Sequence, residues 1–352
     1  MAHLQHRLKA FVKLGDFFRE FCDYSNNSQI NSESNNWFDR FDEKIALAGH
    51  TNGWFTKENI LYGIAQWGEL LTHDNLQTWL SKYTMDNSTP KNVAIIMAGN
   101  IPLVGFHDFL STLITGNKVQ VKLSSNDTVL LPFITEYLIA IEPSFTGQIS
   151  FVTGKLEDFD AVIATGSDNT ARYFEYYFGK KPNIIRKNRS SVAVLTGNET
   201  PIQLQKLGDD IFRYYGLGCR SVSKLFVPKD YDFDTFFTAI FPFKYLMDQA
   251  KYANNYDYNK AVYLMSEFKI LENGFVMLKE DTGYSSPIAT VFYEHYGTLQ
   301  ELKEQLNADK NNLQCIVAEN VLPGEIAFGK TQCPSLWDYA DDLDTVEFLL
   351  KT

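Results

Sequence analysis

The sequence predicts an α/β protein built on a doubly wound parallel sheet, and three observations lead to that prediction. Short apolar runs of strand length alternate with helical stretches of roughly 10–15 residues through the middle of the chain. Such alternation implies βαβ units with right-handed crossovers, which place helices on both faces of a parallel sheet. The 352-residue length suggests about two domains, and 45% hydrophobic with 21% charged residues is typical of a globular chain.

The predicted elements follow one another in chain order. Residues 1–90 are predicted to be mostly helical, with an Asn- and Ser-rich loop at Asn26–Asn36. Strands are predicted next at 93–97, 119–123, 148–153, 160–164 and 191–195, and helices at 102–114, 127–141, 168–178 and 200–215. After Gly216, strands are predicted at 223–227, 275–278, 288–292 and 313–318, with a helix near 298–306.

Composition and charge exclude several classes of protein. The net charge is −11, and no basic run is longer than Lys180-Lys181 or Arg186–Arg189, so nucleic acid is not an expected partner. Nothing approaches about 18 consecutive apolar residues, so no membrane span is expected. The histidines form neither HxxxH nor HExxH and the cysteines no CxxC, so we expect no metal site and free thiols in a cytoplasmic protein.

A first candidate site follows the strand predicted at 160–164. The dinucleotide fingerprint GxGxxG is absent, and Thr165-Gly166-Ser167 stands between this strand and the next helix. Backbone N–H groups and a hydroxyl at a helix N-terminus suit a pyrophosphate. The alternative is that Ser167 or Asp168 simply caps the helix.

Cys219 and Asn100 are candidates for covalent chemistry. Cys219 follows Gly216-Leu217-Gly218, where glycines permit a close backbone approach to a ligand. A thiolate is a good nucleophile, although Cys219 could equally be a buried structural cysteine. Asn100 stands between a strand and a helix, where its amide could donate to an oxyanion or simply form a turn.

Four segments in the right order resemble the aldehyde dehydrogenase superfamily. They are Gly99-Asn100-Ile101-Pro102, Val119–Ser125, Ala164–Ser167 and Gly216–Cys219, and Ser285–Ile288 resembles a further motif. The resemblance implies an aldehyde-dehydrogenase-like fold and makes Cys219 the catalytic nucleophile and Asn100 an oxyanion donor. It also implies that a nicotinamide cofactor binds at Lys122, Ser124, Ser125, Thr165, Gly166 and Ser167.

Departures from the superfamily pattern indicate a particular branch. The segment Ile184–Ser191, where the superfamily has the general-base glutamate, contains no carboxylate, and Leu217 replaces a glutamine. That base activates water for hydrolysis of an acyl-enzyme, so its absence suits transfer to or from a thiol. Together with the short chain and the Tyr- and Asn-rich segment Lys251–Lys260, this resembles the LuxC-type acyl-CoA reductases, although that segment could also be a polar surface loop.

The resemblance implies a domain scheme and an activity. Residues 1–215 would hold the helical region 1–90 and a Rossmann-like NADP-binding domain at 91–215. Residues 216–322 would form a catalytic α/β domain with Cys219, and 323–352 a tail of loop with a short acidic segment. The implied reaction is NADPH-dependent reduction of a fatty acyl-CoA to the aldehyde through a Cys219 acyl-enzyme, in a homo-oligomer.

The preference for NADPH depends on Ser125. In the superfamily a glutamate at this strand end accepts from the adenosine ribose hydroxyls and repels a 2′-phosphate. Ser125 is neutral and Lys122 adds a nearby cation, which favours the phosphate. The alternative is that Ser124 and Ser125 merely cap the helix predicted to start near Asp127.

Two other functions remain open at this point. An acyl-phosphate reductase of the same superfamily would need a compact basic pocket, which Arg186, Lys187 and Arg189 could supply. A non-catalytic partner subunit with this fold would explain the missing carboxylates.

Overall fold

The computed structural model describes residues 3–26, 36–85 and 89–352. The loop predicted at Asn26–Asn36 therefore lies, apart from its two end residues, outside the described residues. The chain divides into two compact units: the first comprises Met1–Lys187 and Ser335–Thr352, and the second comprises Asn188–Pro334.

The first unit opens with four helices, as predicted for residues 1–90. They are α1 (Leu4–Asn26), α2 (Asn36–Thr51), α3 (Lys57–Leu70) and α4 (His73–Leu80). Their apolar faces form a core rich in phenylalanine, in which Phe41 stacks on Phe133 with ring centroids 4.8 Å apart. Threonine side chains cap α3 and α4, because Thr56 and Thr72 each accept a backbone N–H three residues ahead.

A five-stranded parallel sheet forms the rest of this unit. Its strands are β1 (Asn92–Ile96), β2 (Lys118–Lys122), β3 (Ile149–Phe151), β4 (Ala161–Thr165) and β5 (Asn183–Arg186), in the order β3-β2-β1-β4-β5. The crossover helices are α5 (Phe106–Ile114), α6 (Leu130–Ile141) and α7 (Asp168–Phe178). The central strands β1 and β4 are apolar along their length because both of their faces are buried.

The second unit contains a six-stranded sheet. Its strands are β6 (Ser190–Val194), β7 (Val222–Pro228), β8 (Ile270–Glu272), β9 (Met277–Glu280), β10 (Thr290–Tyr296) and β11 (Leu313–Val317). The order is β11-β6-β7-β10-β9-β8, and all pairs are parallel except β8 with β9. The helices are α8 (Pro201–Phe212), α9 (Phe233–Ile240), α10 (Ala250–Met265) and α11 (Leu299–Ala308).

The boundary between the units differs from the one predicted after Tyr215. Strand β6 pairs with β7 and with β11, so the ladder of hydrogen bonds ties residues 188–215 to the second sheet. In the predicted elements, which lack β5, strands and helices alternate from residue 160 to residue 227. The sequence pattern therefore did not mark the change of sheet.

Several local predictions are corrected. The structure adds β5 and β8, two strands of only four and three residues. Helix α5 starts at Phe106 instead of residue 102, because 101–105 form turns in which Leu103 has a φ of 56°. The segment Lys251–Lys260 lies in α10, where the hydroxyl of buried Tyr252 donates to the Phe275 carbonyl, so the surface-loop alternative is wrong.

The predicted tail, 323–352, is divided between the two units. Its last part forms a helix, α12 (Thr345–Lys351), and does not remain loop as expected. Asp344 caps this helix, and Val346 and Leu349 are buried in the core of the first unit. Trp79 donates its indole N–H to the Tyr339 hydroxyl at 2.7 Å, which ties the end of the chain to α4.

Candidate functional site

Three predicted segments lie at one edge of the five-stranded sheet. Asn100 follows β1, Lys122 ends β2, and Thr165 ends β4. Because β2, β1 and β4 are adjacent and parallel, their carboxyl ends meet at the same edge. Strand order reverses between β1 and β4, and such a switch point is where open α/β sheets bind ligands.

The loop that carries Asn100 is held on two sides. Asn52 donates its side-chain amide to the Gly99 carbonyl at 3.4 Å. A Cβ at Gly99 would stand 2.6 Å from the Ser124 hydroxyl, so only glycine allows this approach of the two strand ends. The half-buried Asn100 therefore lies on a loop that is held by Asn52 of the helical region and by the end of the next strand along the sheet.

Asp127 has a role that the sequence did not reveal. The sequence predicts a helix from residue 127, but α6 begins three residues later, at Leu130, and has no side-chain cap. Asp127 is 8% exposed, and its carboxyl group faces the backbone N–H of Leu103. Burial raises the pKa of Asp127 to about 6, and the nearby Leu103 N–H only partly offsets this effect. The carboxylate thus supports the loop of Asn100 from the β2 side.

The serines after β2 do not cap α6. Ser124 accepts the backbone N–H of Asn126 at 3.3 Å, which makes a local turn, and Ser125 is exposed. The capping alternative for this pair is therefore wrong. Lys122 donates its ammonium to the Gly154 carbonyl at 2.8 Å. This contact keeps the cation beside the end of β2.

Ser167 caps helix α7, which is the alternative to pyrophosphate binding that the sequence analysis gave for this residue. Its hydroxyl accepts the Thr170 backbone N–H at 3.4 Å, and α7 begins at the next residue. A Cβ on Gly166 would lie 3.0 Å from Phe174 and Thr170, so the strand end approaches the helix closely. The exposed Ser167 hydroxyl also shares a 2.9 Å hydrogen bond with the Thr170 hydroxyl, and its exposure is compatible with ligand binding at the same helix end.

Cys219 lies in the second unit, on an exposed turn after a strained segment. Tyr214, Tyr215 and Gly216 are consecutive residues in the left-handed region, with φ of 54°, 58° and 75°. A left-handed conformation costs roughly 1–2 kcal/mol for each residue that carries a Cβ. Strain of this kind concentrates at functional sites. The exposed thiol argues against the alternative of a buried structural cysteine.

Two side chains anchor the turn of Cys219. The buried Ser191 hydroxyl donates to the Cys219 carbonyl at 2.9 Å. Arg220 donates its Nε to the Thr331 carbonyl at 2.6 Å, so this cation binds backbone of a distant segment. The Ser221 backbone N–H closes the turn by donating to the Gly218 carbonyl at 3.0 Å.

The cations proposed for an acyl-phosphate pocket are engaged elsewhere. Arg186 forms a buried two-point ion pair with Asp108 and also donates to the Thr345 hydroxyl at 3.1 Å. Lys187 pairs with Glu175 at 2.9 Å. In the second unit, Arg189 donates to the Leu313 carbonyl at 3.3 Å. The geometry therefore does not favour the acyl-phosphate alternative.

The described residues hold neither a metal-binding cluster nor a helix suited to span a membrane. Residues 3–26, 36–85 and 89–352 contain no group of three or more His, Cys, Asp or Glu side chains arranged to hold a metal ion. Over the same residues, no helix is both long and apolar enough to span a bilayer.

Solved structures of aldehyde dehydrogenases share this fold. Aldehyde dehydrogenase 21 from Physcomitrella patens has a TM-score of 0.70 at 12% identity, over 99% of this chain and 84% of that one. KauB from Pseudomonas aeruginosa has a TM-score of 0.64 at 13% identity, over 90% of this chain and 72% of that one. The AldA indole-3-acetaldehyde dehydrogenase of P. syringae, solved with NAD+ and IAA, has a TM-score of 0.63 at 13% identity, over 95% of this chain and 75% of that one. The fold is thus that of the aldehyde dehydrogenases.

A match to a protein-family model identifies the family of this chain within the aldehyde dehydrogenase fold. The model described as acyl-CoA reductase (LuxC) matches residues 35–236, which is more than half of the 352-residue chain. The chain belongs to this LuxC acyl-CoA reductase family, and it is an enzyme of the acyl-CoA reductase and aldehyde dehydrogenase type. A search of curated proteins found no significant match. The matched range includes Asn100, the β2 and β4 strand ends, and Cys219.

Proposed function

We propose that this enzyme reduces a fatty acyl-CoA to the aldehyde with NADPH, through an acyl-enzyme on Cys219. The observation that carries the proposal is the exposed thiol of Cys219, on a turn that follows three left-handed residues and is anchored by Ser191 and Arg220. The family gives the class of reaction, and the local geometry supports one residue for the covalent step.

The first half of the proposed reaction transfers the acyl group to the enzyme. The Cys219 thiolate attacks the thioester carbonyl, a new C–S bond forms, and the bond to CoA breaks. CoA leaves as a thiolate and takes a proton from solvent. The Asn100 amide and the Cys219 backbone N–H donate to the oxyanion that develops on the carbonyl oxygen.

The second half releases the aldehyde. When bound, NADPH supplies the hydride that reduces the acyl carbon. The C–S bond to Cys219 then breaks, the aldehyde departs, and the thiolate is restored. No general base for water is needed, which agrees with the absence of a carboxylate in Ile184–Ser191.

The edge of the five-stranded sheet fits a dinucleotide phosphate. Lys122 offers a cation, Ser125 an exposed hydroxyl, and Ser167 a hydroxyl at the N-terminus of α7. Gly99 and Gly166 let these strand ends pack closely against Ser124 and against Thr170 and Phe174. Lys122, Ser124, Ser125, Thr165, Gly166 and Ser167 are the residues that we propose hold the cofactor.

An activity assay tests the proposal. The purified enzyme is supplied with saturated acyl-CoAs of increasing chain length or with acyl phosphates, each with NADPH or NADH, and aldehyde is measured directly. We expect aldehyde from acyl-CoA with NADPH. Turnover of acyl phosphate alone would support the other reductase, and aldehyde from neither substrate would contradict the proposal.

A further inference from the structure

Asp210 is a buried acidic residue on α8 that the proposed mechanism does not use. It is only 1% exposed, and its carboxylate faces the segment 329–331. Oδ2 accepts the Gly329 backbone N–H at 2.6 Å. Oδ1 accepts both the backbone N–H and the hydroxyl of Thr331, at 2.9 and 2.8 Å. Three donors thus converge on one carboxylate.

Thr331 connects this carboxylate to the turn of the proposed nucleophile. It is fully buried, and its carbonyl accepts the Nε of Arg220 at 2.6 Å. Arg220 is the residue directly after Cys219. One residue later, Ser221 accepts the Gln332 side-chain amide at 3.4 Å. The segment 329–332 is therefore bound to α8 on one side and to the residues after Cys219 on the other.

The ionic state of Asp210 suits this role. Burial raises its pKa to about 6, and the three hydrogen bonds oppose that rise. The group is therefore ionised at neutral pH, and hydrogen bonds to an ionised acceptor are stronger than those between neutral groups. Replacing the carboxylate by an amide keeps the volume but puts an N–H₂ group against one of the donors.

We propose that Asp210 is a positioning residue for Cys219. By binding Gly329 and Thr331, it fixes the carbonyl that holds Arg220, and so it sets the conformation of the turn on which the thiol lies. The catalytic part of this statement rests on the proposed function, because it takes Cys219 to be the nucleophile. The conformational part concerns the protein alone.

The chain provides its own reporters for a test. Cys333 lies just after the segment 329–332 and is half-buried, whereas Cys315 is buried in β11. All four cysteines lie within the described residues, and none of them forms a disulfide. Iodoacetamide labelling followed by peptide mass spectrometry gives a separate rate for each thiol. If the segment is released, Cys333 should react faster while Cys315 does not change.

The experiment compares Asp210→Asn with Asp209→Asn as the matched control. Asp209 is the preceding residue, and its half-exposed side chain pairs with Arg213, the residue that follows α8, at 3.5 Å. Thr331→Val and Thr331→Ser form a second pair, which removes or keeps the hydroxyl without touching the carboxylate. The second pair keeps the test decisive if Asp210→Asn does not fold.

For Asp210→Asn we expect about 10-fold faster labelling of Cys333 and about 10-fold slower labelling of Cys219, the size of effect associated with a hydrogen bond to a charged group. Aldehyde formation should lose roughly 10–100-fold in kcat, since small displacements of reacting groups are costly, while KM for acyl-CoA changes little. Thr331→Val should show the same pattern more weakly, and Thr331→Ser and Asp209→Asn should resemble the wild type.

Three results would overturn the inference. The first is an unchanged labelling rate of Cys219 in Asp210→Asn. The second is faster labelling of Cys315 together with Cys333, which would indicate general unfolding. The third is a loss of aldehyde-forming activity that appears only in KM. If the wild type makes no aldehyde, the proposed function fails, but the labelling rates of Cys219 and Cys333 still decide whether Asp210 fixes the turn.

Discussion

The two units hold their candidate residues in different ways. In the first unit, Asn100, Lys122 and Thr165 follow or end adjacent parallel strands, so the order of the strands alone brings their segments to one edge. In the second unit, Cys219 depends on partners that are remote in sequence, Ser191 in β6 and Thr331 near the end of that unit. A strand end is specified by local pattern, whereas the turn of Cys219 is specified by long-range contacts.

This comparison explains which features the sequence could predict. Strands such as β1 and β4 are short apolar runs, and a run buried on both faces is visible without any knowledge of its neighbours. The fold class was predicted correctly for this reason, and the family was predicted correctly from its motif segments. The roles of Asp127 and Asp210 were not predictable, because each carboxylate faces backbone of another segment, and the position of that backbone depends on the whole fold.

The unit boundary was missed for a similar reason. The predicted elements alternate between strand and helix through this region because β5 was not predicted, so the direct succession of β5 and β6, where the chain changes sheet, was not visible. Only the pairing of β6 with β7 and β11 shows that β6 belongs to the second sheet. The tail was mispredicted because α12 is only seven residues long and depends on burial of Val346 and Leu349.

The largest expected effect comes from removing the thiol in the second unit. Cys219→Ala and Cys219→Ser should abolish aldehyde formation and leave cofactor binding within a few-fold, as measured by fluorescence titration with NADPH. Cys22→Ala is the matched control, because burial and the nearby Asp23 raise the pKa of the Cys22 thiol to about 11 and make it a poor nucleophile. Full activity in Cys219→Ala would rule out a covalent mechanism through Cys219.

The next effect concerns the strand-end loop of the first unit. Asn100→Ala should lower kcat by roughly 10²–10³, the usual result of losing one oxyanion donor, with little change in acyl-CoA affinity. Steady-state kinetics with separate determination of kcat and KM make the measurement. A change in KM alone would mean that Asn100 serves only the turn.

The smallest expected effect tests whether the end of β2, at Ser125, binds the cofactor. Ser125→Glu should raise KM for NADPH by about 10-fold through repulsion of the 2′-phosphate, while turnover with NADH is spared or improved. Asn126→Glu is the comparison variant, since it adds the same charge at an exposed residue next to Ser125 that is not assigned to the cofactor. If Ser125→Glu alters neither cofactor, this strand end does not bind the adenosine ribose.

The acyl-enzyme itself provides the most direct test of the account. The enzyme is mixed with an acyl-CoA in the absence of NADPH, and the mass of each cysteine-containing peptide is measured together with the CoA released. We predict that the Cys219 peptide gains the mass of one acyl group, that one CoA is released per label, and that NADPH removes the label as aldehyde. An acyl group on another residue, or no acyl group while aldehyde is still produced, would contradict the account.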